Sequence, residues 1–382
     1  MRFGIFFELS VPRPLTRANE HLVYMNALEQ ARLADALGFD HVWAVEHHFL
    51  EEYSHCSAPE VFLTAVAATT TRIRVGHGAV VCVPEMNHPV RIAERAAALD
   101  LISSGRLEVG TARSSTWTEL GGFGADPDAT KKSWDEFVRV LPKMWMQDSF
   151  EWNGTFFSMP ERNVLPKPYQ DPHPPLWVTV TSPGTELDAA DRGIGCLGVA
   201  AVSYDEQDRR TMEYHRRIEQ CDPVGPIVND RVHTMNYLYC HEDYREAARV
   251  GLPMVADFSM LNAHLYWTRE AYPTPAYQAL GNIGAALKQA AGSDDPSAAK
   301  GLPEGLGIGD PDHLIRVIKR WESIGVDGIN FVVNTSERIP HEAVLDSLRL
   351  FAREVLPAFR SPTELLASVP APTRGGPVIA RC

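Results

Sequence analysis

The chain has 382 residues, of which 45% are hydrophobic and 22% are charged, values that are ordinary for a globular protein. Its formal net charge of −13 argues against nucleic acid or an anionic membrane as a partner, because both require clustered Lys and Arg. There is no membrane-span or signal-peptide pattern, and the six cysteines are scattered without a CxxC motif. We therefore expect a cytoplasmic protein with reduced thiols.

Short β-rich runs alternate with helical segments along the chain. In residues 20–37, apolar side chains recur at helical spacing, and Gly38 ends the predicted helix. The further helices are predicted at 58–70, 89–103, 130–146, 184–191, 204–220, 242–256, 311–324 and 340–357. The predicted strands are RFGIFF, DHVWAV, RIRVGHGAVV, GRLEVGTAR, PLWVTV, GIGCLGV, RVHTMNYLYC and VDGINFVV. Eight successive βα units predict parallel strands closed into an α/β fold of the (β/α)₈ TIM-barrel type.

Two segments interrupt this alternation, and we place the single barrel domain at residues 1–360. Residues 148–175 are rich in proline and aromatic residues, and we interpret them as an insertion that includes a hairpin. Residues 257–310 combine aromatic residues with a Gly/Ser/Asp/Pro tract, as in an active-site lid or a partly disordered connection. Residues 361–382 have the Pro/Ala/Gly-rich composition of a disordered tail.

The carboxyl ends of the strands carry the active site in such barrels, and one strand runs into Glu46-His47-His48-Phe49. Either His47 acts at a reaction centre, or one ring is a satisfied core residue and the other packs outside. Adjacent residues of a strand point to opposite faces, so His47 and His48 would not easily share a metal ion. We predict no metal site, and His47 is the candidate catalytic residue.

Two neighbouring strand ends combine one cation with several hydroxyl groups. The fourth strand ends in Thr-Ala-Arg113-Ser-Ser, and the fifth ends in Val180 and runs through Thr181, Ser182 and Thr185 into a helix. Each sequence alone is compatible with ordinary helix capping. Together they offer a guanidinium, hydroxyl groups and the start of a helix, and this combination predicts a phosphate site on a cofactor or a substrate.

Six segments resemble the luciferase-like flavin monooxygenases, in the order that the family has them. They are FGIFFE, GFDHVWAVEHHF, RIRVGHGAVV, NHPVRIAERAAALDLISSGRLEVGTARS, LPKPYQDPHPPLWVTVTSPGTELDAADRG and GVDGINFVV. The resemblance covers residues 1 to about 200 and 305–357. It implies a barrel with insertions that binds FMN at the carboxyl ends of its strands.

The resemblance also assigns site residues. Arg113 is expected to contact the flavin phosphate with Thr181, Ser182 and Thr185, close to Val180. The Gly78-Ala79 step matches a non-proline cis peptide that lies under the flavin ring, and His47 matches the histidine beside the reactive edge. One departure is Ala112, which stands where luciferase has a reactive cysteine and weakens a luciferase activity more than flavin binding.

By this resemblance, the chain is the oxygenase of a two-component, FMN-dependent monooxygenase. A separate NAD(P)H:flavin reductase would supply reduced FMN, O₂ would add at the flavin C4a carbon, and one oxygen atom would pass to a small hydrophobic or aromatic substrate. The aromatic residues that could line a water-poor pocket, or equally belong to the core, are Phe7, Phe49, Trp117 and Trp267. We expect a homodimer on the same grounds.

Three alternatives stay open at this point. The first is a hydride-transferring oxidoreductase that uses the deazaflavin coenzyme on the same barrel. The second is a non-catalytic flavin-binding protein, against which the presence of both His47 and Arg113 argues. The third is a metal-dependent hydrolase built on His47 or His48, which lacks further ligands at a readable spacing. The sequence does not identify the substrate, because residues 201–305 resemble the family least.

Overall fold

Eight parallel strands form a closed barrel in the computed structural model of the chain, which describes residues 1–114, 116–182, 184–199, 203–267 and 305–361. The barrel strands are β1 (Arg2–Phe7), β2 (His41–Ala44), β3 (Arg74–His77), β5 (Leu107–Ala112), β8 (Leu176–Val180), β9 (Gly195–Val199), β10 (Val232–Cys240) and β12 (Gly328–Val332). Each pairs in parallel with the next, and β12 pairs with β1 to close the ring. The predicted (β/α)₈ architecture is confirmed.

Helices cover the outside of the barrel. They are α1 (Arg17–Leu37), α2 (Pro59–Thr69), α3 (Pro89–Ile102), α4 (Trp117–Phe123), α5 (Thr130–Met146), α6 (Thr185–Asp191), α7 (Tyr204–Ile218), α8 (Tyr244–Trp267), α9 (Pro311–Ser323) and α10 (His341–Leu350). A π-helical turn at Phe351–Val355 and a 3₁₀ turn at Leu356–Phe359 follow α10. Within the described ranges, no helix is long and apolar enough to cross a membrane.

Alternation along β1 shows how side chains are divided between the barrel interior and the helices. Phe3 packs edge-on against Phe351, with ring centroids 5.4 Å apart, and therefore faces the outer layer. Gly4 faces inward, where a Cβ atom would clash with the side chain of Asn330, its partner on the adjacent strand β12. The same alternation carries Phe6 and then Glu8 inward at the carboxyl end of the strand.

The amino-terminal half of the barrel is filled by large side chains. The rings of Trp43 and Trp177 lie 5.6 Å apart, and His233 lies 4.6 Å from Trp177 and 5.2 Å from His41. Glycine takes the facing position on β3, where a Cβ atom on Gly76 would overlap the Trp43 ring. This half is a packed core, so an open site can exist only towards the carboxyl ends of the strands.

The remaining strands depart from the simple repeat. Strand β4 (Val80–Val81) pairs with β5 just beyond β3, and β11 (Gly307–Gly309) adds to β10. Strands β6 (Phe150–Asn153) and β7 (Ser158–Arg162) form an antiparallel hairpin inside the predicted insertion at 148–175. Helix α8 continues to Trp267, well past the predicted end at 256. Most of the 257–310 insertion and the tail at 362–382 lie outside the described residues.

Candidate active site

His47 lies just beyond the carboxyl end of β2, at the mouth of the barrel. Its Nδ1 atom lies 2.9 Å from Oε1 of Glu119, a fully buried carboxylate near the start of α4. The backbone N–H of His48 donates to the same oxygen at 3.1 Å. The His47 side chain is 20% exposed. The imidazole is therefore oriented through Nδ1, and Nε2 is left for a ligand in the pocket.

Glu119 owes its position to a capping sequence at the start of α4. Thr116 caps the helix by accepting a hydrogen bond from the Glu119 backbone N–H at 3.3 Å. The Thr116 hydroxyl and the Ser114 hydroxyl donate to Oε2 of Glu119, at 2.7 and 3.1 Å. Both carboxylate oxygens are thus satisfied. Because Ser114 follows Arg113, Glu119 also connects the histidine to the predicted phosphate site.

Electrostatics keep the His47–Glu119 pair ionised. Burial lowers the pKa of His47, but the charge and hydrogen bond of Glu119, together with the charges of Glu8 and Glu46, outweigh burial and raise the pKa to about 9. Burial likewise raises the pKa of Glu119, and His47 more than reverses this, so that pKa is lowered overall. At neutral pH the site therefore holds an imidazolium beside a carboxylate.

Glu8, the residue after β1, is a second carboxyl group at His47. Its Oε2 atom lies 3.9 Å from His47 Nε2, and its Oε1 atom accepts a hydrogen bond from the Tyr53 hydroxyl at 3.3 Å. The Tyr53 ring packs edge-on to His47 and stacks on Phe258 of α8, with centroids 5.2 Å apart in each case. Burial raises the pKa of Glu8 to about 7, although His47 and Tyr53 lower it.

His48 belongs to a separate polar network. Its Nε2 atom lies 3.1 Å from Oε1 of Glu46, which also accepts from the Asn87 amide at 2.7 Å. The other Glu46 oxygen accepts from the backbone N–H of Val81 at 2.7 Å. The two histidines thus contact different carboxylates. In the described part of the chain, no group of three or more His, Cys, Asp or Glu side chains is arranged to hold a metal ion.

The peptide bond between Gly78 and Ala79 is cis, as the resemblance predicts. It lies between β3 and β4, at the level where the inward-facing Phe6 reaches across the barrel. A Cβ atom on Gly78 would lie 2.8 Å from the Phe6 ring, so only glycine fits at this position without displacing that ring. The contact of this peptide with a flavin ring stays a prediction.

The predicted phosphate-binding residues lie together at the ends of β5 and β8. Thr111 pairs with Val178, and continuing this register by two residues brings Arg113 level with Val180. Beyond Val180, Thr181 is exposed and Ser182 is half-buried, whereas Thr185 is buried at the start of α6.

The Arg113 guanidinium has no partner carboxylate in the described part of the chain, as the predicted phosphate site requires. Of the residues that the structure describes, none forms an ion pair with this half-buried guanidinium. On the neighbouring strand, the Thr179 hydroxyl is buried without a described hydrogen-bond partner. One expected donor is already used, because the Gly184 N–H donates to Oε2 of Glu186 at 3.0 Å. The guanidinium and the hydroxyl groups therefore form the donor set.

The structure corrects one of the four aromatic residues predicted for the pocket. Phe7 is 5% exposed and packs edge-on against Phe62 of α2, with centroids 5.4 Å apart, so it belongs to the outer core. Phe49 is 58% exposed and lies 5.2 Å from Phe123, beside His48. Trp117 is half-buried against the cluster around Val81 and Leu120. The side chain of Trp267 lies outside the described residues.

Glu119, Glu8 and Tyr53 were not predicted as site residues. A signal for Glu119 was present, because Thr116-x-x-Glu119 is the pattern of a helix capping box. In an ordinary capping box the glutamate bonds the backbone of the capping residue, whereas here it bonds His47. No local pattern marks Glu8 or Tyr53, which meet through a contact 45 residues apart in sequence.

Comparison with known proteins agrees with this fold. Residues 1–328 match the family model described as luciferase-like monooxygenase. The oxygenase component of a flavin-dependent trigonelline monooxygenase from Acinetobacter baylyi is 27% identical over 369 residues, which cover 94% of this chain and 96% of that protein.

Two solved structures share the fold. The oxygenating constituent of 3,6-diketocamphane monooxygenase from Pseudomonas putida, in complex with FMN, has a TM-score of 0.72 at 19% identity and covers 94% of this chain and 98% of its own. An F420-dependent secondary alcohol dehydrogenase has a TM-score of 0.69 at 18% identity, with coverages of 94% and 99%. At these identities the two structures support the fold alone. The match to the family model over most of its length shows that the chain belongs to the luciferase-like monooxygenase family.

Proposed function

We propose that the chain is the oxygenase of a two-component monooxygenase that uses reduced FMN and O₂ to oxygenate a small hydrophobic or aromatic substrate. The observation that carries this proposal is the charge arrangement of the barrel mouth. A half-buried arginine without a described carboxylate partner follows β5, and an imidazolium oriented by Glu119 lies just beyond β2. FMN has a phosphate for the first and a reactive ring for the second.

In this proposal, Arg113 holds the FMN phosphate through charge-assisted hydrogen bonds, with Thr181 and Ser182 as further donors. Bound reduced FMN supplies the electrons that activate dioxygen. His47 holds a proton at Nε2 and donates it to the reacting oxygen, a role that suits a group charged at neutral pH. Glu119 fixes the ring and its charge. Phe6 and Tyr53 contribute apolar surface that limits the entry of water.

A separate NAD(P)H:flavin reductase is the proposed partner. Support comes from the trigonelline relative, whose name describes it as the oxygenase component of its enzyme. The similarity to that protein extends over nearly the whole length of both chains. A homodimer stays a prediction on the basis of family resemblance.

Stopped-flow absorbance tests the proposal without knowledge of the substrate. Protein loaded anaerobically with reduced FMN is mixed with oxygenated buffer, and the absorbance is followed until the flavin is fully oxidised. We expect a distinct phase before oxidised FMN appears, and His47→Gln should change its lifetime by at least about tenfold. His21→Gln, at an exposed position on α1, should leave it unchanged.

Oxidation at the rate of free reduced FMN, with no preceding phase, would contradict the proposal. The runner-up is hydride transfer with a deazaflavin coenzyme, as in the F420-dependent dehydrogenase that shares the fold. In that case the protein would bind the deazaflavin more tightly than FMN, and the reduced coenzyme would not react with oxygen on the protein.

A further inference from the structure

Glu8 and Glu119 approach opposite nitrogen atoms of the His47 ring. Glu119 contacts Nδ1 at 2.9 Å, whereas Glu8 Oε2 lies 3.9 Å from Nε2. The Glu8 side chain is only 4% exposed, and its Oε2 atom is buried without a hydrogen bond. No described lysine or arginine contacts Glu8. Among the described residues, the His47 imidazolium is thus the one cation in contact with these two buried carboxyl groups.

One imidazolium can neutralise only one carboxylate, and the shorter contact assigns it to Glu119. A second carboxylate buried at Glu8 would lack a counter-ion, which is costly in a site shielded from water. Glu8 is therefore stabilised by holding a proton itself. The gap to Nε2 is about 1 Å longer than a normal hydrogen bond, so Nε2 stays available to a ligand, yet a small movement of either side chain closes the gap.

We propose that Glu8 is the proton reserve of the active site, returning a proton to His47 after His47 has given one to the reacting oxygen. In this step the O–H bond of the Glu8 carboxyl breaks, and an N–H bond forms at His47 Nε2. Glu8 is left as a carboxylate, and it regains a proton from solvent when the product leaves. The step requires no oxidant or reductant. The inference rests on the proposed function, because it assumes that His47 donates the first proton.

The surroundings of Glu8 agree with this role. Its raised pKa of about 7 allows it to give and take a proton near neutrality. The titratable groups that act on Glu8 or feel its charge are His47, Tyr53 and Cys56 after β2, Glu119 on α4 and Tyr237 on β10. After His47 has donated its proton, its neutral imidazole is a stronger base than the Glu119 carboxylate, whereas Cys56 and Tyr237 keep their protons. The proton of Glu8 is therefore directed to the imidazole.

Nitrogen NMR of the His47 ring across a pH titration tests the proposal on the FMN-free protein. The signal is assigned by its loss in His47→Gln. We expect two inflections, one near pH 7 from Glu8 and one near pH 9 from the imidazole itself. Glu8→Gln should remove the lower inflection and move the upper one to lower pH, because a carboxylate near the ring is lost. Glu51→Gln, the same chemical change at an exposed position in the loop that carries His47, should preserve both.

Tyr53→Phe gives a second test that does not depend on the folding of Glu8→Gln. It removes the hydrogen bond that lowers the pKa of Glu8, so the lower inflection should move to higher pH while the upper one persists. A role of Glu8 in packing alone would not produce a second inflection at His47. A single inflection in the wild-type protein, or two inflections in Glu8→Gln, would overturn the proposal.

The same samples separate this inference from the proposed function. FMN binding and the stopped-flow phase are measured on the wild-type protein and on Glu8→Gln. A single inflection at His47 together with normal flavin oxidation contradicts only the role of Glu8. Two inflections without FMN binding contradict the monooxygenase and leave the proton exchange between the two residues intact.

Discussion

His41 begins strand β2 and His47 lies just beyond its end, and the two ends of the barrel leave the first ring neutral and the second charged. Burial, together with Arg74 and Arg231, lowers the pKa of His41 to about 3 at the amino-terminal end. At the carboxyl-terminal end, burial also lowers the pKa of His47, but Glu119, with smaller contributions from Glu8 and Glu46, raises it to about 9. Burial alone disfavours the imidazolium in both places, so the neighbouring charges decide which end can donate a proton at neutral pH.

One arginine at each end of the barrel shows a similar difference, in whether its charge is paired within the protein. Arg74, at the closed end, pairs with Glu108 and donates to the carbonyl of Leu107 at 3.0 Å, so its charge is used within the fold. Arg113, at the open end, has no described carboxylate partner. The amino-terminal half therefore satisfies its own charges, whereas the mouth keeps a cation and a proton donor for a ligand.

Removing the Glu119 carboxylate that contacts His47 should have the largest effect on the reaction. In Glu119→Gln only the weaker charges of Glu8 and Glu46 still oppose the effect of burial, so the pKa of His47 should fall from about 9 and less of the ring should be charged at neutral pH. We expect the oxygen-dependent phase to change in rate by about 10²-fold, the usual scale of acid catalysis. Stopped-flow rates and the His47 titration would be measured together, and Glu119→Asp should retain part of the effect. An unchanged titration in Glu119→Gln would contradict the assignment of charge.

Replacing Arg113 should affect FMN binding, whereas replacing Arg74 should affect the stability of the fold. Arg113→Met should weaken FMN by about 10–100-fold, on the scale of a charged hydrogen bond, and leave the affinity for riboflavin, which lacks the phosphate, unchanged. Fluorescence quenching measures both affinities. Arg74→Met is the matched change and should lower the free energy of unfolding without altering the preference for FMN, because Glu108 loses its partner. Equal losses of FMN and riboflavin in Arg113→Met would place the phosphate elsewhere.

The smallest predicted effect is the dependence of stability on pH. His41 and His233 are buried with lowered pKa, so the unfolded chain takes up protons there first and stability falls as pH drops below about 6.5. Each of these two histidines lowers the free energy of unfolding by roughly 1.4 kcal/mol for every pH unit in that range. The contribution of His47 to stability changes with pH in the opposite direction. It is fully present below about pH 6.5 and is lost as pH rises through about 9.

Urea unfolding across pH measures these slopes. His41→Phe should reduce the acid slope and leave the alkaline slope unchanged, whereas His47→Gln should reduce the alkaline slope and leave the acid slope unchanged. If both variants altered the same side of the profile, the two ends of the barrel would not differ in charge as described.

The barrel could be predicted from sequence because alternating strand and helix patterns are local and repeat eight times. The side of a strand on which a residue lies was harder to predict. Phe6 and Phe7 are both apolar because both faces of a parallel barrel strand are buried, so the sequence does not show that Phe7 faces outward. Helix α4 was missed because seven residues containing two glycines carry little periodicity.

The site was predictable only where a residue has a local or family pattern. His47, Arg113 and the Gly78-Ala79 cis peptide follow from strand ends and resemblance. Glu119 reaches His47 from 72 residues away in sequence. Its Thr-x-x-Glu pattern is already explained by helix capping, so the sequence gives no reason to assign it to the site. Glu8 is notable only once burial and the missing hydrogen bond at Oε2 are known.

Nitrogen NMR of histidine-labelled protein at neutral pH most directly tests the difference between the two ends of β2. We predict that His47 has both ring nitrogens protonated and that His41, in the same sample, has one. Addition of FMN should shift the His47 signals and leave those of His41 in place. A neutral His47, or an imidazolium at His41, would contradict the assignment of the proton donor to the mouth of the barrel.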